Sequence, residues 1–319
     1  MIPVITNVGP LFSTSRFVDT KDPCILFDGS VWHIYGSGGD VHSEKWNILH
    51  ATAPSINGPW TELDAVIMHG IQGDHVAAPS VIYDESDSCF HMMVQTEFTA
   101  MGGTIEYLKS TDGGTFTRVG VALTSIENSS EAGIYDPHQA IVGNKKYIVY
   151  AGTPKIEGFK NLYIIQPDVY LVESDDSWPG PWIRLGKILD HTEIEWHHNA
   201  RTHLNYEWGI EGPQLVQLPN ETFLLNATCF LSVGVFGTRQ RVFFAVSNSL
   251  TGPYRSLGPV LEPSRNKDDW DSGENGHATV YVEGELLHLF YQSRSLKNVP
   301  PSENPWQYGH ATFKCSDLS

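Results

Sequence analysis

A chain of 319 residues with 40% hydrophobic and 11% aromatic content can bury a large core, which excludes a disordered protein. Its formal net charge of -17 has the wrong sign for a phosphate-binding surface, so no nucleic-acid partner is expected. No apolar run approaches the roughly 18 to 20 residues of a membrane-spanning helix. The N-terminal MIPVITNVGPLFSTSRF has neither the basic nor the apolar region of a signal peptide. The expectation is no membrane association, and either a cytoplasmic protein or a secreted one whose signal has been removed.

One hairpin pattern recurs along the chain. It reads as an entrance residue, a short apolar run, a polar turn and a second apolar run. The copies are DPCILFDGSVWHIYGSG from Asp22, APSVIYDESDSCFHMMVQ from Ala78 and DPHQAIVGNKKYIVYAG from Asp136. IEGPQLVQLPNETFLLNATC follows from Ile210, and GHATVYVEGELLHLFYQS from Gly276. The spacing is roughly 55 to 75 residues, wider than the 40 to 45 of a WD40-type blade, yet each unit has room for about four strands. A second repeated element marks the turn from third to fourth strand: Gly-Pro-aromatic at Trp60, Trp182 and Tyr254. KSTDGGTFTRVG, from Lys109, is its degenerate form in the second unit. Helical periodicity is not sustained anywhere, and 29 Gly and 19 Pro punctuate the chain as many turns require.

The units fall at residues 22–64, 78–124, 136–187, 211–262 and 275–319. Radial repetition of four-stranded sheets is the propeller answer to exposed strand edges. The predicted fold is therefore all-β: a single domain over residues 1–319, a five-bladed β-propeller with about four antiparallel strands per blade. The fifth unit lacks a strand after GHATFKC, and residues 4–12 are expected to supply it and close the ring. The four cysteines form no CxxC pair, and Cys24, Cys89 and Cys229 read as buried thiols.

In such a ring the entrance residues gather at one end of the central channel. Asp22, Asp136, Glu211 and His277 are then expected to converge. Singly, Asp22 and Asp136 read as turn-capping residues before proline; aligned with Glu211 by the repeat, they read as a site. Clustered carboxylates raise at least one pKa, and one protonated acid beside one ionised acid is the equipment of glycoside hydrolysis. The inter-blade segments add His75, Trp208 and Trp270, suited to bonding sugar hydroxyls or stacking on a sugar ring. His197, His198 and His203 fit no standard zinc spacing.

The chain resembles the five-bladed glycoside hydrolases of family 43 and its clan, the furanosidases. The resemblance rests on Asp22-Pro23 with GSVWHIYGS, Asp136-Pro137, Glu211-Gly212-Pro213, Gly276-His277 and FYQSR ending at Arg294. It implies an inverting hydrolase acting on α-L-arabinofuranosyl or β-D-xylosyl linkages of an oligo- or polysaccharide. Asp22 would be the general base, Glu211 the general acid, and Asp136 the residue that orients and tunes that acid. Arg294 would bind sugar hydroxyls or pair with a carboxylate. His277 would face a metal, often calcium, in the channel, usually through water. Two features depart from the family. His75-Val76-Ala77-Ala78-Pro79 stands where many relatives place a Trp before Ala-Pro. The segment 189–210 is unusually rich in His and Trp. Thr20 and Lys21 before Asp22 argue against the related β-fructosidases, which carry Trp and Asn there. The rival readings are a five-bladed glycoside phosphorylase, which needs a basic phosphate pocket, and a carbohydrate-binding propeller without activity.

Overall fold

The computed structural model describes residues 9–318 apart from 13, 15, 41–44, 73–74, 100–101, 128, 154–167, 176–177, 179, 195–208, 233–237, 262–263, 265, 267 and 296–304. The first sheet joins β1 (Asp19–Phe27), β2 (Trp32–Asp40), β3 (Lys45–Ala53) and β4 (Thr61–Glu62) in that order. The second joins β6 (Val76–Asp84), β7 (Cys89–Thr99), β8 (Gly102–Ser110) and β9 (Thr115–Thr124). The short β5 (Ile67–His69) lies parallel on the outer side of β9. The third sheet holds β10 (Gly133–Val142), β11 (Lys145–Thr153), β12 (Asp168–Asp175) and β13 (Ile183–Leu189). The fourth holds β14 (Ile210–Gln217), β15 (Phe223–Ser232), β16 (Thr238–Ser247) and β17 (Arg255–Pro259). The fifth holds β18 (Glu274–Glu283), β19 (Leu286–Arg294) and β20 (Gln307–Lys314). These are the five expected blades. The Gly-Pro-aromatic elements fall where the repeat places them, between β3 and β4, β12 and β13, and β16 and β17, each with a cis Gly-Pro bond.

The innermost strands pack in the cyclic order β1, β6, β10, β14, β18 and back to β1. Each seam between blades has its own hydrophobic core, and the strands bury both faces. Adjacent residues therefore serve opposite seams. Phe243 packs toward the third blade and Phe244 toward the fifth. Met92 packs toward the first blade and Met93 toward the third. Because successive side chains of a strand point to opposite faces, such strands read as unbroken apolar runs rather than as alternation.

The ring closes between β1 and β20. The Trp306 N–H donates to Asp19 Oδ1 at 3.1 Å, the Thr20 hydroxyl donates to the Trp306 carbonyl at 2.9 Å, and the Tyr308 hydroxyl donates to the Lys21 carbonyl at 2.7 Å. The described part of the N-terminal segment follows β20: Leu11 N–H donates to the Tyr308 carbonyl at 2.9 Å, and Leu11 and Phe12 pack into the seam between the fifth and first blades. Residues 4–8 of the expected closing strand lie outside the described residues. All four cysteines are buried and free.

Three blades carry the same buried histidine arrangement. His33 stands 3.0 Å from Asp28 and 2.9 Å from His50. His91 stands 3.1 Å from Asp87 and 2.6 Å from the Tyr107 hydroxyl. His288 stands 3.5 Å from Glu283 and 3.0 Å from His310. Burial, helped by the neighbouring His33, pushes His50 down to about 3, and burial with His288 pushes His310 down to about 4. Burial alone pushes His138 down to about 3. The His50, His310 and His138 rings are neutral when folded and charged when unfolded below about pH 6.5, so stability is lost as pH falls through that value. By pH 5 each costs about 2 kcal/mol. Asp136, raised to about 6, and His277, raised above its ordinary value, oppose this by only about 2 kcal/mol together at the same pH. Urea denaturation at pH 7 and pH 5 is therefore expected to show a loss of several kcal/mol; equal stability at the two values would contradict these buried neutral histidines.

Candidate active site

Every innermost strand carries the same irregularity. Pairing breaks between Lys21 and Cys24, Ala77 and Ser80, Tyr135 and His138, Glu211 and Gln214, and Gly276 and Thr279, leaving two residues unpaired each time. The first unpaired residue adopts the left-handed conformation: Asp22 (φ 52), Ala78 (φ 49), Asp136 (φ 49), Gly212 (φ 54) and His277 (φ 32). Bulges of this kind re-aim side chains beside functional sites. Non-glycine residues held at positive φ carry a strain of about 1–3 kcal/mol that the surroundings must support.

The support is a ring of hydrogen bonds passed from blade to blade. Each left-handed N–H donates to the side chain that lies opposite the preceding blade's bulge. Ala78 N–H donates to Ser37 Oγ (2.8 Å), Asp136 N–H to Gln95 Oε1 (3.1 Å), His277 N–H to Thr228 Oγ1 (2.7 Å) and Asp22 N–H to Gln292 Oε1 (2.8 Å). At the junction of the third and fourth blades the corresponding residue is Ala151, which has no acceptor. There the Asp136 carboxylate itself takes the Gly212 N–H, at 3.0 Å. Asp136 is thereby fastened to the peptide next to Glu211.

The register corrects the alignment of the fourth blade. Glu211 is not the counterpart of Asp22, Asp136 and His277; Gly212 is. Glu211 occupies the preceding position, with Lys21, Ala77, Tyr135 and Gly276. A Cβ on Gly212 would stand 3.1 Å from His277 Nδ1. Glycine there admits the imidazole, and the carboxylate arrives from the neighbouring position.

Asp22, Asp136, Glu211 and His277 do converge, and His277 stands among the acids. Its Nδ1 lies 2.7 Å from Asp22 Oδ1, and its Nε2 lies 2.6 Å from Glu211 Oε1 and 3.8 Å from Asp136 Oδ2. These distances make His277 the shared partner of the three carboxyl groups. Burial works against charge on its ring, but Glu211, Asp22 and Asp136 together hold the imidazolium well above its ordinary pKa. Asp22 is pulled the other way. Burial would raise it, yet His277, Lys21 and the Ser37 hydroxyl, which donates at 2.6 Å, hold it well below the usual carboxylate range. Asp136 is raised to about 6, chiefly by burial and by repulsion from Glu211 and Asp22, against the pull of His277 and the Gly212 N–H.

Three site residues escaped the sequence reading. Lys21 sits 5.7 Å from the Trp46 ring, and the attraction of Asp22, Glu211 and Asp136 outweighs its burial and raises its pKa. Gln240 donates to Glu211 Oε1 at 2.8 Å, and Gln292 donates to Gln240 Oε1 at 3.1 Å. A signal for Gln292 was present, since LFYQS and MMVQT place Gln292 and Gln95 at the same register. Gln240 lies on a third strand, outside the hairpin that repeats, and had no such signal.

The other expected site residues behave differently. The Arg294 Nε donates to Glu274, and its guanidinium lies 4.5 Å from the Trp306 ring. His75 is exposed and bridges the backbone of Trp46 just before β6. Trp270 is half-buried, stacked 6.0 Å from Tyr291 and pressed on Gly309 and Gly9, which makes it a packing residue of the ring seam. Trp208 lies outside the described residues, as do His197, His198 and His203.

A calcium ion takes about six to eight oxygen ligands. Asp136 and Glu211 each place a carboxylate oxygen, and His277 a ring nitrogen, within 4.8 Å of one another, so a cation held there would draw most of its ligands from water.

No protein-family model and no curated protein sequence matches the chain. Solved structures do match its fold. The catalytic domain of Coprinopsis cinerea GH62 α-L-arabinofuranosidase superposes with a TM-score of 0.70 at 15% identity, over 97% of this chain and 96% of that one. The chain has the five-bladed fold of these hydrolases. A thermostable family-43 glycoside hydrolase aligns at TM-score 0.64 and 15% identity, over 92% of this chain and 88% of that one. Cellvibrio cellulosa α-L-arabinanase complexed with arabinohexaose aligns at 0.63 and 14%, over 92% of each. The five-bladed fold accounts for why distant acids meet: every blade delivers one bulge to the same channel mouth.

Proposed function

We propose that this chain is an inverting glycoside hydrolase that cleaves α-L-arabinofuranosyl or β-D-xylosyl linkages of an oligo- or polysaccharide. The observation that carries the reading is the convergence of Asp22, Asp136 and Glu211 around the His277 ring. Asp22, held ionised by His277 and Lys21, is the general base that takes a proton from the attacking water. Glu211 is the general acid. Its Oε1 is occupied by Gln240 and His277, which leaves Oε2 to deliver the proton to the departing oxygen. Asp136, bonded to the Gly212 N–H, fixes the peptide beside the acid.

The imidazole stands between Asp22 and Glu211, 2.7 Å from one carboxyl group and 2.6 Å from the other, and so keeps base and acid apart. The arabinofuranosidase and arabinanase named above share this fold, and the arabinanase was solved with an oligosaccharide. These likenesses support the choice of pentosyl substrates.

The test is a panel of aryl pentosides, with the anomer of the first-formed sugar followed by NMR. Inverted product is expected from an arabinofuranoside or xyloside. Retained product would overturn the inverting mechanism. Calorimetric binding of pento-oligosaccharides with no turnover across the panel would favour a sugar-binding propeller instead.

A further inference from the structure

The residues between base and acid form one continuous chain of hydrogen bonds. Asp22 N–H donates to Gln292 Oε1 at 2.8 Å, Gln292 Nε2 donates to Gln240 Oε1 at 3.1 Å, and Gln240 Nε2 donates to Glu211 Oε1 at 2.8 Å. Each amide accepts with its oxygen and donates with its nitrogen, so the chain has a single direction, from the peptide of Asp22 to the carboxyl of Glu211. Gln292 is fully buried and Gln240 nearly so. The fold makes room for them: a Cβ on Gly276 would collide with the Gln240 side chain. Gln240 is fixed from behind as well, because its own N–H donates to Glu274 Oε2 at 3.1 Å, the carboxylate that also holds Arg294.

We propose that Gln292 and Gln240 are positioning residues, a directed amide relay that decides which oxygen of Glu211 carries the catalytic proton. This rests on the hydrolase reading above. The end of the relay is a donor, and Gln240 Nε2 shares Glu211 Oε1 with His277 Nε2, at 2.8 and 2.6 Å. With both nitrogens facing it, Oε1 has no position left for a proton, and the proton is confined to Oε2 for as long as the relay delivers its donor. The relay also ties the position of the acid to the backbone of the base, across the junction where the ring of blades closes. Buried amides polarise one another along such a chain, so breaking it at Gln292 is felt at Glu211 although Gln292 touches neither carboxyl group.

The test uses Gln292→Met, Gln292→Glu and Glu211→Ala, each assayed on 4-nitrophenyl α-L-arabinofuranoside and on an arabino-oligosaccharide across pH, with melting temperatures recorded. Gln292→Met is expected to lose roughly 10- to 100-fold in kcat on the oligosaccharide, with a smaller loss on the aryl glycoside and little change in KM. Gln292→Glu is the sharper probe. An ionised carboxylate cannot donate to Gln240, but a protonated one offers the same acceptor and donor as the amide. Its activity should be low at neutral pH and recover as pH falls, adding an acid-side rise that the parent lacks. A purely structural Gln292 predicts a lowered melting temperature, equal losses on both substrates and the parent's pH profile, and that result overturns the relay. Should Gln292→Met fail to fold, Gly276→Ala displaces Gln240 from the other side and is read the same way. A Glu211→Ala variant that responds to the leaving group, beside an unaffected Gln292→Met, removes the relay alone. A Glu211→Ala variant with no such response removes the hydrolase reading and the relay with it.

Discussion

Glu211→Ala is expected to lower kcat on a pento-oligosaccharide by about 10²- to 10⁴-fold, the usual contribution of a positioned general acid. On an aryl glycoside with a dinitrophenolate leaving group the loss should be less than about tenfold, because that anion departs without a proton. The contrast follows from the geometry. Glu211 Oε1 is held by Gln240 at 2.8 Å and faces the His277 ring, so the side chain is fixed with one oxygen left for the substrate. Removing it takes away proton delivery but leaves Asp22, with Ser37 and Lys21 beside it, to activate water. Steady-state rates on a series of leaving groups give the answer. A small, uniform loss across the series would contradict the acid assignment.

His277→Asn is expected to destabilise the protein by about 3–5 kcal/mol at pH 7, the cost of leaving buried charges without their partner. Asparagine tolerates the left-handed backbone at this position better than most residues, so the change isolates the charge. The imidazolium is the common partner of three carboxyl groups, and only Lys21 remains as a nearby cation acting on Asp22. The pH dependence distinguishes charge from packing. His277 is raised in the folded state, so its stabilisation is fully present below the unfolded value near 6.5 and is lost as pH rises through the folded one. The deficit against the parent should therefore be full below about pH 6.5 and shrink as pH rises toward 9 in urea denaturation. A deficit that stays constant would assign His277 a packing role.

Much of the site was legible because a propeller writes its geometry into its repeat. Once the five hairpins are aligned, Asp22, Asp136 and His277 fall at one register and must meet at the channel mouth. The burial of both sheet faces was legible too, from apolar runs such as FLLNATC that do not alternate. What misled was the fourth blade. The Glu-Gly-Pro string suggested that Glu211 stands where Asp22 stands, and only the pairing of Glu211 with Thr228 showed Gly212 in that place. Trp270 had the composition of a sugar platform, yet its ring lies on Gly309 and Gly9.

The order of apolar and turn residues along the chain determined the strands, the number of blades and which acids share an axis, since these follow from local periodicity repeated five times. Three things were decided only in the folded molecule: the imidazolium among the carboxylates, the depressed Asp22 beside the raised Asp136, and the glutamine chain from base to acid. They depend on which groups lie within a few ångströms across blade junctions, where burial strengthens every charge–charge interaction and no spacing along the chain encodes the distance.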